Sequence, residues 1–114
     1  AVYSMLDLDR VARLGAADLV NVKLAKCGSL GAALALLERA AEHGLGTMVG
    51  SMMESPIGLG AVAAVAAARP TTVVDDLDAA WWAAAAPVEG GPVYVRDRLM
   101  LSPAPGLGIT GLAG

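Results

Sequence analysis

The 114 residues contain no Phe, one Cys and one His, and with two Trp and two Tyr the aromatic share is only 4%. A lone Cys27 excludes an internal disulfide and fits a reducing, cytoplasmic setting. With a single His43 beside it, the chain has no zinc-type ligand spacing and no histidine pair for a cysteine nucleophile. Charge is also scarce: 17% of residues are charged and the net charge is −3. The basic residues Arg10, Arg13, Lys23, Lys26, Arg39, Arg69, Arg96 and Arg98 are scattered, without a basic face interleaved with aromatics, so nucleic acid is not an expected partner. The uncharged run from Ser55 to Ala68 falls short of the roughly 20 residues that cross a bilayer, so no membrane partner is expected. The opening residues, Ala1 to Asp7, lack the basic leader and apolar core of a signal peptide. A start on Ala1 rather than Met leads us to expect processing or truncation.

Apolar residues are abundant. They make up 56% of the chain, with Ala and Gly contributing heavily. That excludes disorder driven by charge, and it exceeds what a domain this small can keep away from water by itself. The chain must either cover apolar surface with a partner or form a piece of something larger.

The pattern along the chain is regular. Ser4 with Asp7 three residues on reads as a capping box opening a helix over Leu6 to Leu14, ended by Gly15. Asp18 to Leu24 reads as a short buried strand. Ser29 is a good N-cap for a helix over Leu30 to His43, closed by Gly44, where His43 would complement the helix dipole. The cycle repeats with a strand at Thr47 to Ser51 and a helix capped by Ser55, with Pro56 at its first position, running to Ala68. A third strand is expected at Thr71 to Val74. Strands alternating with helices at this spacing imply an α/β fold with parallel strands and right-handed crossovers. After Trp82, Ala83 to Ala86 could extend a helix, Val88 to Gly91 reads as a turn, and Pro92 to Leu101 as a hairpin-like tail around Arg96, Asp97 and Arg98. Ser102 to Gly108 reads as a loop.

In parallel βα folds chemistry gathers where strands end. The first strand end carries Lys23, on the same side of the strand as Asn21, with Lys26 in the loop beyond. Burial loosens an ammonium's hold on its proton, so a lysine in a polar cavity can act as general base or acid; the alternative is an edge-strand lysine facing water. The second strand end carries Ser51 and Glu54, which either line a site or, with Ser55, serve the following helix terminus. The third carries Asp75, Asp76 and Asp78. Asp76 and Asp78, two apart, face the same way in extended chain and would attract an ammonium or a metal; the alternative is a solvated acidic loop. Gly58, Gly60 and Ala63 match a dinucleotide fingerprint. They follow Pro56, however, and so fall inside a helix rather than between strand and helix. Close packing of helix on sheet explains them better.

Taken together, Val20 to Leu30 with Lys23, Met48 to Ser55 with Glu54, Asp76-Leu77-Asp78 and Pro105 to Gly108 resemble, in order, the sixth, seventh and eighth strand segments and the closing segment of the enolase superfamily, muconate-lactonizing subgroup. The resemblance implies that residues 1–114 are the last three βα units of a (β/α)8 TIM-type barrel, parallel-stranded, with the hairpin-like tail. A complete barrel needs about 250 residues. It implies a Mg2+ cofactor held by acids on earlier strands, outside this chain. It further implies an isomerase that abstracts a proton next to a carboxylate, with Lys23 as its acid/base lysine. Such a carbon acid is very weak, so a cation must stabilise the developing charge while a lysine moves the proton. The Asp76-x-Asp78 pair resembles that of dipeptide epimerases, whose acids hold the substrate's free ammonium. This implies a small carboxylate substrate, a dipeptide of the Ala-Glu type. Two features depart from the subgroup pattern: Ala79-Ala-Trp81-Trp82 stands where Gly or Thr followed by Pro is usual, and Gly28-Ser29 where Gly-Gly is common. Muconate cycloisomerase and o-succinylbenzoate synthase remain open within the same fold. A non-catalytic partial barrel that oligomerises through its open edge is the reading from another class. Association, with like copies or with the rest of a barrel, is expected on either reading.

Overall fold

The computed structural model describes residues 2–114. Its first element, α1 (Met5–Arg13), begins where the Ser4 hydroxyl accepts the Asp7 N–H while the Asp7 carboxylate accepts the Ser4 N–H, a complete capping box. The hydroxyl and the backbone amides of Ser4 and Tyr3 hold the Asp7 carboxyl below its ordinary range. β1 (Leu19–Val22) leads into a one-turn helix, α2 (Leu24–Cys27), and then into α3 (Leu30–Glu42), capped by Ser29. β2 (Gly46–Val49) and α4 (Pro56–Ala68) repeat the unit. Ser55 stands at the N-cap of α4 but makes no side-chain capping bond, so Pro56 and the tertiary packing of this apolar helix fix its start.

β1 and β2 pair in parallel, with Leu19 opposite Gly46 and Val22 opposite Val49. Val20, Val22, Thr47 and Val49 are buried. With Leu8 of α1, Ala33, Leu36, Leu37 and Ala40 of α3, and Val62 and Val65 of α4, the three valines form the core. The other face of the pair carries Leu19, Asn21 and Met48 and is only half-buried. β1 pairs with β2 alone, and its opposite edge has no strand partner among the described residues.

The third expected strand is displaced. Thr71 to Val74 is not a strand; parallel pairing shrinks to one bridge, Gly50 with Asp76. The Asp76 N–H donates to the Val49 carbonyl (2.9 Å) and the Ser51 N–H to the Asp76 carbonyl (2.8 Å). Two side chains serve the remaining amides of β2. Thr72 Oγ1 accepts the Thr47 N–H (2.7 Å) and Asp75 Oδ1 accepts the Val49 N–H (2.8 Å). The Thr72 N–H keeps a main-chain bond to the Thr47 carbonyl (2.8 Å), but side chains replace the returning carbonyl acceptors, which is why a β-rich tetrapeptide does not become a strand.

Beyond it, Ala79–Trp82 forms a 3₁₀ turn that stops at an extended Ala83, so the alanines do not prolong a helix. Val88 to Gly91, expected as a turn, instead supplies β3 (Val88–Gly90), which pairs antiparallel with β6 (Ile109–Leu112). Gly90 has a φ of 77°, and a side chain there would collide with the Gly108 carbonyl. The hairpin is as expected: β4 (Val93–Val95) and β5 (Arg98–Met100) join through Arg96 and Asp97, with Arg96 left-handed. Gly58 and Gly60 lie inside α4. Gly60 gives room to Pro92 and Leu107 of the C-terminal segment rather than to the sheet, and Gly58 lies against Glu54.

α1 is tethered to α3 by charge. Asp9 Oδ1 accepts Arg39 Nε and contacts His43 Nε2, both at 2.7 Å. Arg39 first, then His43, holds the Asp9 carboxyl down to about 2 from its usual 3.8, and Asp9 in turn strengthens the Arg39 guanidinium's hold on its proton. His43 therefore binds across to α1 rather than merely ending its own helix. Large apolar side chains remain exposed, among them Leu6, Val74 (87%), Trp82 and Leu112 (83%).

Candidate active site

The carboxyl ends of β1 and β2 and the bridge at Asp76 converge. Lys23 follows the last residue of β1 and caps α2 with extended backbone. Its side chain, 19% exposed, reaches across so that Nζ donates to the Ser51 carbonyl at 2.7 Å and stands 3.7 Å from Asp76 Oδ2. Ser51 is buried, and its hydroxyl donates to the Asp76 carbonyl at 3.1 Å. One end of Ser51 thus positions the lysine head and the other fastens the acid's backbone.

Two residues complete this floor. Gly50 has no side chain, and a Cβ there would lie 2.6 Å from Asn21 Oδ1 and 3.0 Å from Lys23 Nζ. The Asn21 amide and the ammonium therefore both occupy the space above Gly50. Asn21 Oδ1 is buried and accepts no hydrogen bond among the described residues, which leaves a free acceptor beside the ammonium. The signals were present in the sequence: period-two alternation sets Asn21 and Lys23 on one face, and a glycine inside a strand marks close approach.

The remaining candidates lie around this centre. Glu54 turns its carboxylate back to the Met52 N–H (3.1 Å), closing the loop after β2. Asp78 Oδ2 accepts the indole Nε1–H of Trp82 at 2.9 Å. Asp75 is used on both oxygens, by the Val49 N–H and the Thr71 hydroxyl. Lys26 lies over the Tyr3 ring, 5.7 Å from its centroid, away from Lys23. The structure thus joins Lys23, Ser51 and Asp76 directly, with Asp78 two residues beyond the lysine's partner and Glu54 in the adjoining loop.

Sequence reasoning missed Tyr94. Its hydroxyl donates to the Leu77 carbonyl (2.7 Å), between the two acids, and its ring meets Trp81 edge to face at 5.4 Å and 86°. No local signal links residues so far apart in the chain.

These acids do not form a magnesium site. Among the described residues no three His, Cys, Asp or Glu side chains converge, each Asp75 oxygen already accepts a hydrogen bond, and Asp76 faces an ammonium.

The chain is similar in sequence and fold to known epimerases. The L-Ala-D/L-Glu epimerase of Clostridium acetobutylicum is 35% identical over 112 residues, covering 98% of this chain and 31% of that protein. The substrate-liganded L-Ala-D/L-Glu epimerase from Bacillus subtilis superposes with a TM-score of 0.92 at 33% identity, over 98% of this chain and 31% of that one. The dipeptide epimerase from Enterococcus faecalis, complexed with Mg and the dipeptide L-Leu-L-Tyr, gives a TM-score of 0.86 at 36% identity, over 96% of this chain and 31% of that one. The chain thus spans about a third of the length of these relatives. Residues 1–111 match the enolase C-terminal domain-like family, and the chain belongs to that family.

Proposed function

We propose that this chain is the C-terminal part of a magnesium-dependent isomerase, forming the last three βα units of a (β/α)8 barrel, and that the whole protein epimerises a dipeptide at the carbon beside its carboxylate. The position of Lys23 carries the reading. An ammonium held by a backbone carbonyl and facing a carboxylate, at the carboxyl end of a parallel strand, is equipped to exchange a proton with a substrate lying over the strand ends. The open edge of β1 and the exposed apolar side chains support the presence of further strands in the complete protein.

Lys23, as free amine, takes the proton from the substrate carbon on one face, or as ammonium returns it there. The opposite face is served by a group outside this chain. Ser51 keeps the lysine head aimed through its carbonyl, and Glu54 orders the loop beside it. Asp76 and Asp78 supply the negative charge that receives the dipeptide's free ammonium. A substrate with a free ammonium can pair with Asp76 and Asp78, as the substrates of muconate cycloisomerase and o-succinylbenzoate synthase, which lack one, cannot; this favours the dipeptide. Magnesium, with ligands outside this chain, would stabilise charge on the substrate carboxylate.

The test is proton exchange. In the complete protein, with L-Ala-L-Glu in deuterated water, Lys23→Ala should abolish α-proton exchange while Mg2+ affinity stays near normal. Unchanged exchange would remove Lys23 from the chemistry.

A further inference from the structure

We propose that Tyr94 is a positioning residue for the acidic pair, fixing through its bond to the Leu77 carbonyl where Asp78 stands relative to Asp76. The proposal rests on the dipeptide reading above and adds to it the device that spaces the two carboxylates.

The argument follows the backbone. Up to Asp76 the chain is registered by the sheet, through the bonds of Asp76 with Val49 and Ser51. One residue later that support ends: among the described residues no strand amide donates to the Leu77 carbonyl. The Tyr94 hydroxyl takes its place at 2.7 Å. The chain then turns at once into the 3₁₀ turn, where the Asp78 carbonyl accepts the Trp81 N–H at 2.9 Å and Asp78 makes no capping bond of its own. The Asp78 carboxylate is held instead by the Trp82 indole. Tyr94 thus acts where control passes from the sheet to the turn.

The tyrosine is itself well anchored. It sits mid-hairpin opposite Leu99, and its ring packs edge-on against Trp81 in the same 3₁₀ turn. The hairpin's base, at Pro92, packs on α4 at Gly60. Burial raises the Tyr94 hydroxyl's hold on its proton, opposed by the amides of Ala80 and Trp81 and supported by the charge of Asp78. The hydroxyl therefore remains a donor across the neutral range, as the bond to a carbonyl requires.

The experiment compares two ligands in the complete protein: L-Ala-L-Glu and its N-acetyl counterpart, which lacks the ammonium. Tyr94→Phe keeps the ring and its packing on Trp81 while removing one partly buried hydrogen bond. It should raise KM for L-Ala-L-Glu by about fivefold to tenfold, with a much smaller change in kcat, and leave the inhibition constant of the N-acetyl dipeptide unmoved. An unchanged KM, or equal weakening for both ligands, would overturn the proposal. Asp78→Asn is the companion. If it raises KM for the free dipeptide and Tyr94→Phe does not, the acidic-pair reading stands and the positioning role falls. If Asp78→Asn has no effect, both fall.

Discussion

Lys23 and Asp76 face each other across the strand ends, Nζ to Oδ2 at 3.7 Å, with the Ser51 carbonyl nearer to the same ammonium at 2.7 Å. The lysine is aimed chiefly by a neutral group, and the half-exposed carboxylate keeps an oxygen free for a cation from solution. Asp76→Asn should therefore weaken binding more than chemistry. KM for L-Ala-L-Glu is expected to rise by about tenfold or more, the order of a charged hydrogen bond, with kcat falling less. Steady-state kinetics on the complete protein checks this, and a loss confined to kcat would contradict it.

Gly50→Ala should damage the site without unfolding the protein. The added methyl would lie 2.6 Å from the Asn21 amide oxygen and 3.0 Å from the lysine nitrogen, so both side chains must move. Displacing a catalytic group by about 1 Å can cost on the order of a hundredfold in rate. The expected result is a kcat reduced by one to two orders of magnitude with a melting temperature near that of the native protein.

Asp9 ties α1 to α3 by a pH-dependent bond. Arg39, and after it His43, holds the Asp9 carboxyl down to about 2, against 3.8 ordinarily. The stabilisation is fully present above the ordinary value and is lost as pH falls through the folded one. Acid titration followed by circular dichroism should show loosening between about pH 4 and pH 2, and Asp9→Asn should reduce that dependence, leaving the share of Asp7, while lowering stability at neutral pH.

The 114 residues expressed alone should associate. An open strand edge and exposed Val74, Trp82 and Leu112 are surfaces that water does not tolerate over large areas. Sedimentation is expected to show oligomers, and a stable monodisperse monomer would count against the partial-barrel reading.

Much of this was legible in the sequence where the cause is local. The capping box of Ser4 and Asp7, the Ser29 cap, the glycine after His43 and Pro56 at a first turn each act within a few residues, and the three main helices follow from them. Lys23 was legible because strand alternation sets it with Asn21 rather than with the valines. The third strand was not, because Thr72 and Asp75 replace main-chain bonds with side-chain ones, an exchange that β propensity does not register. β3 was hidden because its partner, Ile109–Leu112, lies about twenty residues on, and a Gly-Gly pair reads locally as a turn. The link of Tyr94 to Leu77 was invisible for the same reason.

The use of the Thr72 and Asp75 side chains in place of main-chain carbonyls has a consequence for the acids they precede. This segment is aligned on β2 by two side chains together with the main-chain bonds of Thr72 and Asp76. Removing either side chain would leave a β2 amide without its acceptor and loosen the alignment that brings Asp76 to Lys23. The meeting of acid and lysine thus depends on two side chains that take no part in it.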